Sequence, residues 1–211
     1  MSRLPSSVRQ LLAALRGLLV FTVICGIVYP LAIFGISQVA FSKQANGSLV
    51  SLRGQIVGSS LLCQEFLGAR GKPLPQYVQP RPSASATSAT SQAGGCNPLA
   101  SGASNLGPNN PVLVQDIRQR QRQIARFDHV PVSAIPADAV TASASGLDAF
   151  ISPQNAAIQV NRVAAARHIT PAAVRLLVAR YASGRTLGIL GEPRVNVVRL
   201  NLALDQRYPV P

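Results

Sequence analysis

Hydrophobic positions are distributed unevenly along this chain. From Gly17 to Ser42, "GLLVFTVICGIVYPLAIFGISQVAFS", no charged residue interrupts an apolar run. About 20 apolar residues cross a bilayer as a helix, so residues 17–42 read as a transmembrane segment. A cleaved leader would have an apolar core of about 7–15 residues and a small-x-small cleavage site. This run is longer, and Ala40-Phe41-Ser42 is a poor site. A buried core helix would show a polar face somewhere in such a length. The pattern therefore favours a retained anchor, with a kink at Pro30, where the ring removes a backbone donor and crowds the preceding turn.

Beyond the run the pattern changes to short amphipathic segments. Gly58–Leu67 reads as a short helix with Ser59 or Ser60 near its cap. Residues 68–111 are irregular, and the Ser/Ala-rich stretch 83–95 reads as a mobile surface loop. A helix is expected over Leu113–Phe127, with Leu113, Ile117, Ile124 and Phe127 inward and arginines elsewhere. "VPVSAIPADAVTAS" reads as extended, with a strand near Ala139–Ala142. Ser152-Pro153 opens a helix whose apolar face is Ala157, Val160, Val163 and Ala164, because serine accepts an orphan N–H and proline has none to lose. Thr170-Pro171 repeats the device, with Val174, Leu177 and Val178 inward. Val198, Leu200, Leu202 and Leu204 alternate, as in a half-buried strand. The expected fold is an α+β extracytoplasmic domain, helix-dominated with a small sheet, on a single N-terminal transmembrane helix.

Composition sharpens this division. The chain has 211 residues, of which 47% are hydrophobic and 13% charged, and its net charge is +13. Soluble domains carry about 25% charged residues, and the deficit here is concentrated in the anchor. Arg3, Arg9 and Arg16 precede the apolar run, and such clusters stay cytoplasmic. The expected layout is a cytoplasmic segment 1–16, a membrane helix 17–42 and an extracytoplasmic domain 43–211. In that compartment the basic surface, densest in "IRQRQRQIAR" at Ile117–Arg126, would meet anionic headgroups or an acidic partner rather than nucleic acid. A plain solvated helix face fits those arginines equally well. Cys25 reads as a packing residue of the anchor. Cys63 and Cys96 lie where an oxidising compartment permits a disulfide, although their spacing alone does not bring them together.

The inventory for chemistry is small, with two histidines and seven acids. No metal-ligand spacing and no nucleophile elbow is present. His129 and His168 adjoin helix ends, where histidines usually serve as caps. "GARGKP" at Gly68–Pro73 lacks the spacing and the hydroxyl of a phosphate loop. "TASASGLDAFISP" places Ser145, Gly146 and Asp148 close together, but a nucleophilic serine needs a base that no neighbour offers. The other reading is a corner: Gly146 takes a positive φ, Asp148 bonds the local backbone, and Ser152 caps the next helix.

Four stretches in one order then become specific. They are "RPSA" at Arg81–Ala84, "SGASNLGPNNP" at Ser101–Pro111, "SASGLDAFISPQNAAIQVNRVAAAR" at Ser143–Arg167, and "LGEPRVNVVRLNLALD" at Leu190–Asp205. With the anchor and "GSSLLCQEF" at Gly58–Phe66, they resemble the C subunit family of the bacterial potassium-transporting ATPase, KdpC. The resemblance covers almost the whole chain. It implies a single-pass accessory subunit in a complex with the potassium-binding subunit KdpA, the P-type ATPase subunit KdpB and, in some systems, the small peptide KdpF. ATP hydrolysis would fall to KdpB, so this chain would not be an enzyme by itself. It would serve assembly and act as a catalytic chaperone that raises nucleotide affinity. ATP binding by the C subunit itself is also part of the family's description. The alternative is a membrane-anchored extracytoplasmic nucleotide-binding or hydrolase module.

The signature positions carried over are Arg81, Ser104, Asn105, Gly107, Ser145, Gly146, Leu147, Asp148, Ser152, Asn196 and Asn201, all expected to be structural. No catalytic residue and no metal ligand is expected. Ala103, Ala144, Ala149 and Phe150 depart from the family's usual glycines, proline and histidine, which argues against phosphate wrapping or acid–base chemistry in this copy.

Overall fold

The computed structural model describes residues 5–69, 71–85 and 95–210. Arg3, Arg70 and most of the Ser/Ala-rich stretch, residues 86–94, lie outside the described residues. The chain divides into two compact units, Met1–Ser48 and Leu49–Pro211.

In the first unit, α1 (Ser6–Val23), a π-helical turn (Ile24–Val28) and α2 (Tyr29–Ala40) form one helix of 35 residues, long and apolar enough to cross a membrane. At 1.5 Å per residue it is about 50 Å long, well beyond a hydrocarbon core of about 30 Å. The irregularity expected at Pro30 takes the form of the wide turn just before it. Pro30 has no N–H and its ring crowds the Gly26 carbonyl, and a π turn there relieves both. A short α3 (Ser42–Ala45) ends this unit.

The second unit opens with the hairpin β1 (Leu49–Leu52) and β2 (Gln55–Ser59), bulged between Val50 and Ser51. After the irregular region come α4 (Pro111–Asp128) and α5 (Ala137–Val140). There follow β3 (Phe150–Ile151), α6 (Pro153–Ala166), α7 (Pro171–Tyr181), β4 (Ala182–Ser183), β5 (Arg194–Asn196) and α8 (Val197–Arg207). Among the described residues β3, β5 and β4 form an antiparallel sheet with β5 in the centre. Its core gathers Val160 and Val163 of α6, Val174 and Leu177 of α7, Val195 of β5, and Leu200 and Leu204 of α8, all nearly or fully buried. The unit is thus α+β and helix-dominated.

Three caps match the local sequence. Ser152 and Thr170 accept the N–H groups of Asn155 and Ala173, and Asn110 accepts that of Val112. His129 and His168 both take left-handed φ angles of 55° where α4 and α6 end.

Several expectations are corrected. Residues 197–207 form a helix, not a strand. Val197, Leu200, Asn201 and Leu204 recur at helical spacing and are buried, Leu202 is only half-buried, and Asn196 caps the first turn through the Arg199 N–H. The alternating leucines and valines sit inside a 3.6-residue period that also contains the buried Asn201. The segment 58–67 is not helical: β2 runs to Ser59, and the Cys63 N–H is drawn to the Leu147 carbonyl at 2.9 Å. Residues 137–140 are helical rather than extended, with Ala139 and Val140 buried. On α6, Ala157 is exposed, while Asn155, Ala156 and Gln159 face inward. Ser83 and Ser85, read as mobile surface, are 5% and 1% exposed.

Candidate functional site: the corner at 143–152

The signature stretch forms a corner that leads from α5 into β3 and α6. Its turning point is Gly146, at φ +71°. A Cβ there would come 2.6 Å from the Gly102 carbonyl oxygen and 2.9 Å from the Ser85 Cβ, so only glycine fits both the dihedral and the space. The carbonyls of the corner reach three distant segments. Ser145 accepts the Gly102 N–H and the Ser101 hydroxyl, both at 2.9 Å. Gly146 accepts the Ser83 hydroxyl at 2.7 Å. Leu147 accepts the Cys63 N–H.

Several donors of the corner are committed within the domain as well, although the Ser143 hydroxyl and Arg81 Nε are buried without a partner among the described residues. The Gly146 N–H turns back to Ser143, Leu147 N–H donates to the Ser145 Oγ, and Phe150 N–H donates to Asp148 Oδ1. The other oxygen of Asp148 lies 3.1 Å from Arg81 Nη1, and Arg81 also donates to the Thr141 carbonyl. Ser152 Oγ donates to Asp138 at 2.7 Å while capping α6, and Asp138 further accepts the Ser152 N–H and the Asn155 amide. Ser145 and Asp148 therefore hold different partners and form no nucleophile–acid pair. The N–H groups of Gly146, Leu147 and Phe150 could turn to a phosphate only by losing these bonds.

Cys63 and Cys96 are joined in a disulfide, with Cα atoms 5.9 Å apart. Cys63 Sγ lies 3.2 Å from the Gly146 oxygen, so the staple sits directly against the turning point. Ser83 and Ser85 share a bond of 2.9 Å beside it, and Ser85 Oγ links the Gly95 carbonyl to the Asn97 N–H.

Of the other signature positions, Asn196 donates to the Ser60 carbonyl at 2.7 Å. Asn201 clasps residue 78, accepting its N–H and donating to its carbonyl. Asn105 takes a left-handed φ of 52°, Ser104 is exposed, and the Gly107 carbonyl accepts the Asn110 N–H at the entrance to α4. These three stand apart from the corner's bonding network.

Sequence reasoning missed a second set of residues. Gln159 holds the backbone of Gln79 as Asn201 holds that of Val78, through its N–H and its carbonyl. Arg162 bonds buried Asp128 at 2.7 Å, donates to the Pro75 and Tyr77 carbonyls and to Gln159, and packs over the Phe127 ring. Arg167 ties Asp205 to the carbonyls of Gln76 and Tyr208. Burial pushes Asp128 above the usual carboxylate range and Arg162 below its ordinary value, against the pull of their mutual attraction. Burial, then Asp205, likewise raises Tyr77. The signal for this clamp is a polar stripe at helical spacing on the buried side of α6: Asn155, Gln159, Arg162. On α4, Arg120 turns inward to the Val140 carbonyl, whereas Arg118, Arg122 and Arg126 stay exposed.

Residues 11–206 match the family model described as KdpC, the c chain of the K+-transporting ATPase. The potassium-transporting ATPase KdpC subunit of Geobacter sulfurreducens is 45% identical over 202 residues, covering 95% of this chain and 100% of the relative. That of Mycobacterium tuberculosis is 46% identical, covering 94% and 98%. That of Kineococcus radiotolerans is 46% identical, covering 98% of each. Matches of this depth from the anchor through α8 place the chain in the KdpC family.

Proposed function

We propose that this chain is a non-catalytic accessory subunit of a membrane-bound, ATP-driven potassium import complex. The observation that carries the reading is the family match over residues 11–206, together with a signature corner in which the Gly146 carbonyl and Asp148 bond within the domain. In this reading residues 1–16 are cytoplasmic, residues 17–42 span the membrane, and residues 43–211 form an extracytoplasmic domain. Hydrolysis takes place in KdpB. KdpA carries potassium, KdpF joins where it exists, and this chain supports assembly and raises the activity or nucleotide affinity of the ATPase subunit. The exposed arginines of α4 suit acidic loops of a partner. The signature residues act by holding the domain's shape, and no ATP contact is assigned to them.

The test is to pull the chain from solubilised membranes and measure potassium-stimulated ATP hydrolysis of the complex with and without it. Co-purification with KdpA and KdpB and loss of stimulated hydrolysis on its removal are expected. Unchanged hydrolysis without the chain would defeat the reading. Saturable, magnesium-dependent nucleotide binding lost in Ser145→Ala and Asp148→Ala would favour a nucleotide-binding module instead.

A further inference from the structure

The hairpin joining β4 to β5 places its apolar side chains outward. Leu187, Ile189 and Leu190 are 85%, 74% and 57% exposed, while the core apolar residues of the same domain are nearly all below 10%. The domain exposes other apolar side chains, Leu99 and Ile56 among them, but the tip places three within four residues at the end of one loop, a local cluster that marks an interaction site.

The tip is also built to leave water. The N–H groups of Thr186, Gly188, Ile189 and Leu190 all bond within the hairpin, to Leu190, Arg185, Thr186 and Thr186 respectively. Four of the tip's backbone donors are thus already paired, which lowers the penalty of entering an apolar medium, where an unpaired donor is costly. Leu187, at φ 55°, and Gly188 and Gly191, both at φ 77°, fold the tip into this self-bonded form. At its base Arg185 Nη2 lies 2.8 Å from both oxygens of Glu192, and Arg194 follows at the start of β5, stacked over Phe150. Apolar groups at the end with charged groups one step behind match the layering of a membrane interface, acyl chains first and headgroups next.

We infer that this hairpin tip dips into the lipid interface, with Leu187, Ile189 and Leu190 among the acyl chains and Arg185 and Arg194 at the level of anionic headgroups. A bilayer is favoured over a pocket on another protein because of tethering. Leu49 follows the end of α2 by about nine residues, which span at most roughly 30 Å. The domain is thereby held at high effective concentration near whatever membrane the anchor crosses. Residues 43–211 hold 17 of the 20 basic residues and all seven acidic ones, and this net +10 favours an anionic surface in the same direction. The inference rests on the anchor part of the proposed function and not on the potassium complex.

The test uses the full chain with Cys25→Ala, leaving the Cys63–Cys96 disulfide intact, and a fluorophore at position 189 introduced by Ile189→Cys. A second protein carries the label on the exposed face of α4 through Gln119→Cys. Both are reconstituted in phosphatidylcholine–phosphatidylglycerol vesicles containing lipid brominated near the headgroup end of its acyl chains. Severalfold stronger bromolipid quenching at 189 than at 119 is expected, with the reverse order for aqueous iodide. Adding Leu187→Asp and Leu190→Asp should return position 189 to the behaviour of position 119. Equal quenching at the two positions would overturn the inference. So would shielding of position 189 from both quenchers that arises only with KdpA and KdpB present, since that outcome assigns the tip to a protein pocket. Failure of the chain to float with the vesicles would overturn the anchor along with it, whereas floating without quenching defeats the hairpin alone.

Discussion

The corner at 143–152 and the hairpin tip at 184–193 flank the same strand, β5, and treat their polar and apolar groups in opposite ways. At the corner, carbonyls, hydroxyls and one carboxylate reach Ser83, Gly102, Cys63 and Arg81, and a disulfide lies against the turn. At the tip, the backbone bonds to itself and the leucine and isoleucine side chains face outward. A loop that binds distant segments of its own domain gains rigidity and gives up the free donors that a ligand would need. A loop that satisfies only itself keeps its side chains available to something else. The difference shows why a signature with a serine, a glycine and an aspartate need not be a reactive site, while a stretch without any reactive residue can face a partner.

This contrast can be broken first among the internally bonded groups, the clamp and then the corner. Arg162→Ala leaves Asp128 buried without its partner and should destabilise the domain by about 3–5 kcal/mol. A denaturant midpoint followed by tyrosine fluorescence measures it, and a loss below 1 kcal/mol would reject the clamp's importance. Gly146→Ala forces a Cβ into the Gly102 carbonyl at a left-handed φ and should cost about 2–4 kcal/mol. If the variant melts like the parent, the corner is not the tight hub described. Reducing the Cys63–Cys96 bond removes a crosslink between residues separated by 33 positions. It should lower stability by about 2–4 kcal/mol, read as a drop in melting temperature on adding reductant.

A smaller effect concerns Glu65, whose carboxyl is raised by burial against a lowering bond to the Cys96 backbone. A folded-state value above the unfolded one means the folded protein binds the proton more tightly. Its contribution is complete below the ordinary carboxylate range and declines as pH rises through the raised value. Glu65→Gln should therefore raise the melting temperature at neutral pH and change it little at pH near 4, and equal effects at both would contradict the shift. The smallest effect belongs to the tip. Ile189→Ser should alter stability by less than about 0.5 kcal/mol, because the residue is 74% exposed and has little packing to lose. A large loss there would mean that the tip supports the domain after all.

How much of this was legible beforehand depended on how local the cause was. The corner's turn, the serine cap at 152 and the helix ends at His129 and His168 follow from residues next to them. The clamp was less accessible: Gln159 and Arg162 face inward because Gln79, Tyr77 and Asp128, brought from far along the chain, supply their partners. Ser83 and Ser85 read as surface by composition, yet the Gly146 carbonyl and each other satisfy their hydroxyls, and so they can be buried.

By itself the sequence determined an apolar run long enough to cross a bilayer, the helices opened by Ser152-Pro153 and Thr170-Pro171, a domain of mixed helix and sheet, and membership of the KdpC family. These rest on covalent length, local caps and residue order, none of which requires a partner in space. Tertiary structure alone decided that 197–207 is a helix, that 58–67 is not, and that Cys63 reaches Cys96. It also decided that two arginines serve as internal ties and that three apolar side chains of the β4–β5 hairpin face outward. In each case a segment with two acceptable local conformations, or a side chain with two acceptable environments, was resolved by contacts from residues distant in the chain.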